Sequence, residues 1–217
     1  MPDPGRNSRD ARLLSDATGV WGTSSQDFVH LAGLLYRHSD TYAGDHDGNV
    51  SPYALAGIPM LFSAIRCLLI ELADGVWENT RDCSRLKALA ASANDVEYIL
   101  SRYTVPDSLA EDLRLLVQLR HELLHPSHRP AGTSHNTPAY LESLRQRNLL
   151  QSTGTESDYI WIDQLKSHRL FQWASITVET LVDILLTVHS VPKERAGGIR
   201  DSYRAFQTIG VEPPSSS

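Results

Sequence analysis

The segment Arg120-His121-Glu122-Leu123-Leu124-His125-Pro126 holds the side chains of this sequence best suited to chemistry. Histidine exchanges protons near neutral pH, so it can serve as a general acid or base. The arginine adds a forked cation that suits phosphate or carboxylate. Further histidines follow closely, and four of the nine in the chain fall within fifteen residues: His121, His125, His128 and His135. The sequence therefore predicts a local, positively charged and titratable site.

A helical projection of residues 107–126 indicates how these side chains are arranged. Arg120 falls in the middle of a stripe of leucines, His121 and His125 fall together on its flank, and Glu122 falls on the far side. A guanidinium on a buried stripe is costly unless it has a partner or opens onto a cleft. We therefore expect this face to border a site, or Arg120 to pair with a carboxylate of a neighbouring helix. The candidates for such a pair are Glu71, Asp74 and Asp183.

An arginine, a polar residue and then a histidine late on a bundle helix resemble the motif of the HEPN superfamily. Arg120 and His125 fit that spacing, with His121 in the polar slot and Pro126 ending the helix. Two other pairs share the spacing: Arg114 with His121, and Arg129 with His135. In neither of them does a proline end the helix directly after the histidine. The resemblance extends over the helical core, residues 25–189.

The resemblance implies a metal-independent endoribonuclease whose active site forms where two copies of the motif meet across a homodimer. It also implies a role in toxin–antitoxin pairs or anti-phage defence, with an antitoxin or companion protein as a partner. Some members have a tyrosine two residues after the histidine that the antitoxin modifies, and Ser127 stands there in this chain. Other members have lost activity and serve as helical interaction modules or nucleotide-binding modules.

The chemistry of RNA cleavage assigns roles to the segment. We expect Arg120 to stabilise charge at the phosphate and His125 to transfer protons. His121 and Glu122 would orient the substrate or His125, and His128 is a reserve candidate. RNA supplies its own nucleophile, the 2′-hydroxyl, so no cofactor and no metal are expected.

The same residues also spell the HExxH pattern of zinc proteases, in which two histidines one turn apart bind zinc and the glutamate activates water. Two observations disfavour this alternative. Pro126 disfavours helical backbone at His125, and no HxxGxxH extension supplies a third ligand, Glu142 being an unsupported candidate. A non-catalytic helical interaction module is the other alternative.

The composition restricts the class of protein. The chain has 217 residues, a formal net charge of −6 and a pI near 5.8, which excludes a protein that coats nucleic acid with a broad basic surface. Only two cysteines occur, which favours a reducing compartment. The polar N-terminus lacks the apolar core of a secretory signal, and Glu179, Asp183, Pro59 and Arg66 interrupt the two most apolar stretches. We expect a cytoplasmic protein without a membrane span.

Helical periodicity predicts an all-α bundle of four or more long helices with short accessory helices. The expected domain is residues 25–210, between a flexible arm (1–24) and a disordered tail (211–217). A weak strand alternation at residues 159–162 is the exception, and residues 44–49 read as a solvated loop. The first predicted helix begins at Ser25 and ends before Gly44. The others span residues 52–77, 81–103, 107–126, 138–149, 158–189 and 200–209.

Overall fold

A computed structural model describes residues 24–46, 49–73, 83–92, 94–124, 139–151 and 161–204. Within these ranges the chain forms nine helices and no strand, so the predicted all-α class is confirmed. The four long helices are α1 (Ser24–Asp45), α2 (Ala54–Ala73), α5 (Asp107–Leu124) and α8 (His168–Val188). The shorter ones are α3 (Cys83–Ala91), α4 (Asp95–Arg102), α6 (Ala139–Gln146), α7 (Trp161–Gln164) and α9 (Lys193–Arg204). Apart from Ser24, the predicted arm and tail lie outside the described residues.

Helix α2 is the centre of the bundle. It packs against α1, α5 and α8, and α8 in turn packs against α1, α5 and α9. Its sequence is apolar most of the way round, so side chains on several faces are removed from water, among them Ile58, Leu61, Ile65 and Leu68. Burying a leucine or isoleucine contributes roughly 1.5–3 kcal/mol. The predicted bundle of four long helices is therefore confirmed.

Gly57 sets the distance between α2 and α8. The ring of Phe171, which is completely buried, lies directly against the Gly57 backbone. A Cβ built on Gly57 would overlap three atoms of this ring, the farthest of them at 2.8 Å. Only glycine therefore allows the two helices to approach this closely.

Helices α2 and α8 are long and apolar enough, by length and composition alone, to cross a membrane. About half of each apolar window is buried inside the bundle. The central helices of a soluble protein pass the same test, so this finding is weak evidence for a membrane span.

The single helix predicted for residues 81–103 is wrong, because two helices, α3 and α4, occupy this region. Asn94 caps α4: its backbone is extended, and its side-chain oxygen accepts a hydrogen bond from the Glu97 N–H at 2.9 Å. Ser92 donates its hydroxyl to the Ala88 carbonyl at 2.9 Å. Short polar side chains compete for backbone hydrogen bonds in this way, and this competition ends one helix and starts the next.

The continuous helix predicted for residues 158–189 is also wrong. Helix α7 covers only Trp161–Gln164, and Ser167 then starts α8 as its N-cap, accepting a hydrogen bond from the Leu170 N–H at 3.2 Å. The weak strand predicted at residues 159–162 is not formed at its last two residues, which begin α7. Residues 159 and 160 lie outside the described residues.

Asn49 joins three segments of the chain, although its loop was predicted to be solvated. It is 8% exposed, its side-chain oxygen accepts from the Arg169 N–H at 3.0 Å, and its carbonyl accepts from the His168 N–H at 2.8 Å. Ser167 Oγ lies 3.1 Å from the same amide oxygen and 2.5 Å from the Leu149 carbonyl. This junction fixes where α8 begins relative to α1 and α6.

Two smaller differences concern helix ends. Helix α1 continues through Gly44 instead of ending before it. The last helix begins at Lys193 rather than at Arg200. Helix α5 begins at Asp107, as predicted.

Candidate active site at the end of helix α5

Helix α5 buries different sides along its length. In its first three turns Leu109, Leu113 and Leu116 point into the core, as the projection predicts. In its last two turns the buried side instead passes through Leu119 and Glu122. The helix meets α4 and α6 as well as α2 and α8, so no single face stays covered throughout. The last turn therefore presents side chains that a uniform projection would bury.

Arg120 is exposed, which corrects the prediction that it lies in the middle of a buried stripe. Its guanidinium carbon lies 5.8 Å from the centre of the Phe62 ring on α2, a favourable cation–π distance. Among the described residues, no carboxylate lies within ion-pair distance of this guanidinium. The charge of Arg120 is thus oriented by an aromatic ring and is not neutralised by a described acid.

The described carboxylates expected to pair with Arg120 have other partners. Glu71 accepts from the Ser25 N–H at 3.0 Å and from its hydroxyl at 2.7 Å. Asp183 accepts from Arg200 Nε at 2.6 Å. Asp74 lies outside the described residues. The structural ion pair considered for Arg120 is therefore not made with Glu71 or Asp183.

Glu122 is buried, although the projection placed it on the far side of α5 from the leucine stripe. His121 is exposed, whereas Glu122 is only 9% exposed. Both side chains have interaction partners. A buried carboxylate needs such partners, because an unpaired one is costly to remove from water. Glu122 is thus placed to support the end of α5 from the inside.

His125 and His128 lie outside the described residues, so the separation of Arg120 from His125 stays a prediction. The same holds for the HExxH alternative, whose second histidine is His125. Within the described ranges, no group of three or more histidine, cysteine, aspartate or glutamate side chains could hold a metal ion.

A second polar group, which sequence reasoning missed, has the composition of a serine-hydrolase triad. His168 Nδ1 lies 2.9 Å from Ser39 Oγ, and His168 Nε2 lies 3.4 Å from an Asp40 carboxylate oxygen. Since the carboxylate only accepts, Nε2 carries the proton and Nδ1 accepts from the serine hydroxyl. Burial lowers the pKa of His168, against the opposing effect of Asp40.

This trio is nevertheless a structural connection and not an active site. Ser39 is completely buried, so no substrate can reach its oxygen. The group links the last third of α1 to the start of α8, next to Tyr36, whose pKa burial and Asp40 raise to about 12. Ser39 occupies a core-facing position of α1, and a polar residue there was the available signal in the sequence.

Comparison of the chain with protein-family models, with curated proteins and with solved structures gave no match.

Proposed function

We propose that this protein is a metal-independent endoribonuclease of HEPN type, with an active site formed by Arg120 and His125 across a homodimer. The observation that carries the proposal is the exposure of the Arg120 guanidinium together with its contacts. Its guanidinium is exposed at the end of α5, lies over Phe62 and has no carboxylate partner among the described residues. An arginine in that state can bind an anionic group without first breaking an ion pair.

The proposed reaction uses only groups that RNA and the protein supply. A histidine base takes the proton of the 2′-hydroxyl, and that oxygen then bonds to the adjacent phosphorus. The bond from phosphorus to the 5′-oxygen breaks, and a protonated histidine donates a proton to the departing oxygen. His125 and its dimer-related copy would fill these two roles. The products are a 2′,3′-cyclic phosphate and a 5′-hydroxyl.

Arg120 would act on the charge of the transition state. Negative charge gathers on the non-bridging oxygens as the new bond forms, and a forked guanidinium can donate two hydrogen bonds to them. Losing one such preorganised donor typically costs roughly 10²–10³ in rate. His121, which is exposed next to Arg120, is the residue we expect to help orient the substrate, with His128 in reserve. Glu122 would support the same helix end from its buried side.

The first test is RNA cleavage by Arg120→Ala beside its matched control, Arg114→Ala. Both arginines are exposed on α5, and both changes remove one positive charge. We expect Arg120→Ala to melt close to the wild-type temperature, because it loses no described ion pair and only an exposed cation–π contact worth about 0.5–1 kcal/mol. It should cleave roughly 10²–10³ times more slowly. Arg114→Ala should cleave like the wild type.

Further arms of the assay define the mechanism. Cleavage should persist in EDTA, should fail on a substrate with 2′-deoxy at the cleaved position, and should fall roughly 10²–10⁴-fold in His125→Ala. Full activity of His125→Ala would contradict the assigned roles. Loss of cleavage on chelation would contradict a metal-free reaction. It would favour the alternative in which His121-Glu122-Leu123-Leu124-His125 binds zinc. A well-folded protein that cleaves no RNA would support the non-catalytic helical module instead.

The biological role follows from the same resemblance. A ribonuclease that cleaves cellular RNA has to be restrained, so we propose a toxin or anti-phage defence role with an antitoxin or companion protein as partner. Expression of the wild type in a host cell should slow growth, and expression of Arg120→Ala should not.

A further inference from the structure

A cleft of about 310 Å³ lies where the start of α3, the end of α4 and the end of α8 meet. Its polar lining consists of Arg85, Arg102, Tyr103 and His189, together with Tyr98 and Ser190. None of the described residues that line it is acidic. Two arginines and no acidic side chain are thus found among the described residues that line this cleft, in a chain whose formal net charge is −6.

The polar groups of this cleft form an ordered chain of donors. His189 Nδ1 faces Arg85 Nη1 at 3.4 Å, and its Nε2 lies 2.8 Å from Tyr103 Oη. A guanidinium can only donate, so Nδ1 is the acceptor, and Nε2 carries the proton that is donated to the phenol oxygen. His189 is only 8% exposed, which holds this arrangement in place. The acceptor positions of His189 and Tyr103 are thus already used by protein donors.

Arg102 lines the cleft, and its side chain is an exposed hydrogen-bond donor. Its guanidinium carbon lies 5.5 Å from the centre of the Tyr98 ring, and no described carboxylate lies within ion-pair distance of it. Arg102 is in the last turn of α4, where a cation is favoured by the helix dipole. Arg85 is in the first turn of α3, where the helix dipole disfavours a cation. Favourable interactions with helix dipoles therefore do not account for the presence of both arginines in the cleft.

We propose that this cleft binds a phosphate group, with Arg102 as its charged donor. A phosphate dianion supplies acceptors for the exposed guanidinium of Arg102, and guanidinium groups bind phosphate through paired hydrogen bonds. The volume also accommodates the group that carries a phosphate monoester, such as a nucleoside.

This proposal does not depend on the ribonuclease proposal. Tyr103 precedes the start of α5, whereas Arg120 lies about 20 Å farther along that helix. Loss of RNA cleavage in Arg120→Ala would leave the cleft unchanged, and loss of phosphate binding would leave the Arg120 segment unchanged.

The test is calorimetric titration of the full chain with two probes, inorganic phosphate and adenosine 5′-monophosphate. We expect at least one of them to bind, and Arg102→Ala to bind it roughly 10- to 100-fold more weakly. Lys87→Ala is the matched control, because Lys87 is exposed on α3 and does not line the cleft. It should bind like the wild type. Arg102→Lys keeps the charge but loses the fork, so it should fall between Arg102→Ala and the wild type.

The two probes separate the source of the phosphate. Binding of both, or of the nucleotide alone, assigns a phosphate monoester; binding of inorganic phosphate alone assigns the free ion. NMR signals of the His189 ring should shift on binding and thereby locate the ligand. No binding of either probe up to about 10 mM would overturn the proposal. So would equal affinities for Arg102→Ala and the wild type, or equal losses in Arg102→Ala and Lys87→Ala.

Discussion

His168 is held neutral between two side chains of α1. Its Nδ1 accepts from Ser39, and its Nε2 faces Asp40. Burial disfavours the protonated ring more than Asp40 favours it, so the pKa of His168 lies below its ordinary value. In the unfolded chain the same histidine takes up a proton near pH 6.5. Acid therefore favours the unfolded state through this residue.

We predict that part of the stability of the bundle is lost as the pH falls below about 6.5 and that this part belongs to His168. Between that pH and the lower pKa of the folded state, the unfolded chain binds more protons, so the free energy of unfolding decreases. Urea unfolding at about pH 7.5 and about pH 5 should show a smaller decrease for His168→Gln than for the wild type. His30→Gln is the control, since His30 is exposed on α1. It should show the full wild-type decrease, and an identical decrease in all three proteins would disprove the assignment.

The environments of individual side chains at the candidate site could be predicted only in part from the sequence. The sequence singled out Arg120, His121 and Glu122 by type and spacing, but it predicted a buried Arg120 and an outward-facing Glu122, whereas Arg120 is exposed and Glu122 is buried. A projection assumes that one face of α5 is covered along its whole length, whereas α5 packs against four other helices and its buried residues shift to Leu119 and Glu122 near its end. Ser39 and His168 were missed for a related reason, because they are far apart in the chain and only the bundle brings them together.

At the scale of elements, the four long helices could be predicted because their apolar periodicity is strong over many turns. The breaks at Asn94 and Ser167 could not, because each depends on a single side chain that caps the next helix. Ser167 shows why such a cap is hard to read from sequence. Its hydroxyl also contacts Asn49 and the Leu149 carbonyl, so the cap is stabilised by distant segments.

We predict that Gly57→Ala strongly destabilises the protein. The added methyl group would overlap the Phe171 ring, which is completely buried in the core. Overpacking of this kind costs about 1–3 kcal/mol or more, and thermal or urea unfolding measures it. The matched control is Gly198→Ala in α9, where a Cβ meets nothing within 4 Å. That change should be stabilising by roughly 0.5–1 kcal/mol, and equal effects at the two positions would contradict the close approach at Gly57.

At the scale of the whole molecule, the homodimer remains a prediction. The exposed side chain of Leu124 offers a way to test it. Leu124 is 45% exposed in the last turn of α5, four residues after Arg120. Exposed apolar side chains beside a candidate site are suited to burial against a second copy. A two-fold axis at this end of α5 would bring the two Arg120 segments together.

We predict that light scattering gives a dimer at roughly micromolar concentration and that Leu124→Glu shifts it toward monomer. If the active site forms across the dimer, RNA cleavage should fall in parallel with the dimer fraction. Ile176→Glu is the control, because Ile176 is also 45% exposed but lies on α8. A wild-type monomer at that concentration would contradict the prediction, as would a Leu124→Glu variant that stays dimeric.

The contact between Gly57 and Phe171 has a consequence for the evolution of this fold. A larger residue at 57 needs a smaller one at 171, so position 57 cannot gain a side chain while the ring of Phe171 stays in place. Substitutions at the two positions should therefore occur together in descendants of a common ancestor. Distant relatives whose overall identity has faded could be recognised by this pairing, a glycine followed more than a hundred residues later by an aromatic side chain, or both replaced in compensation.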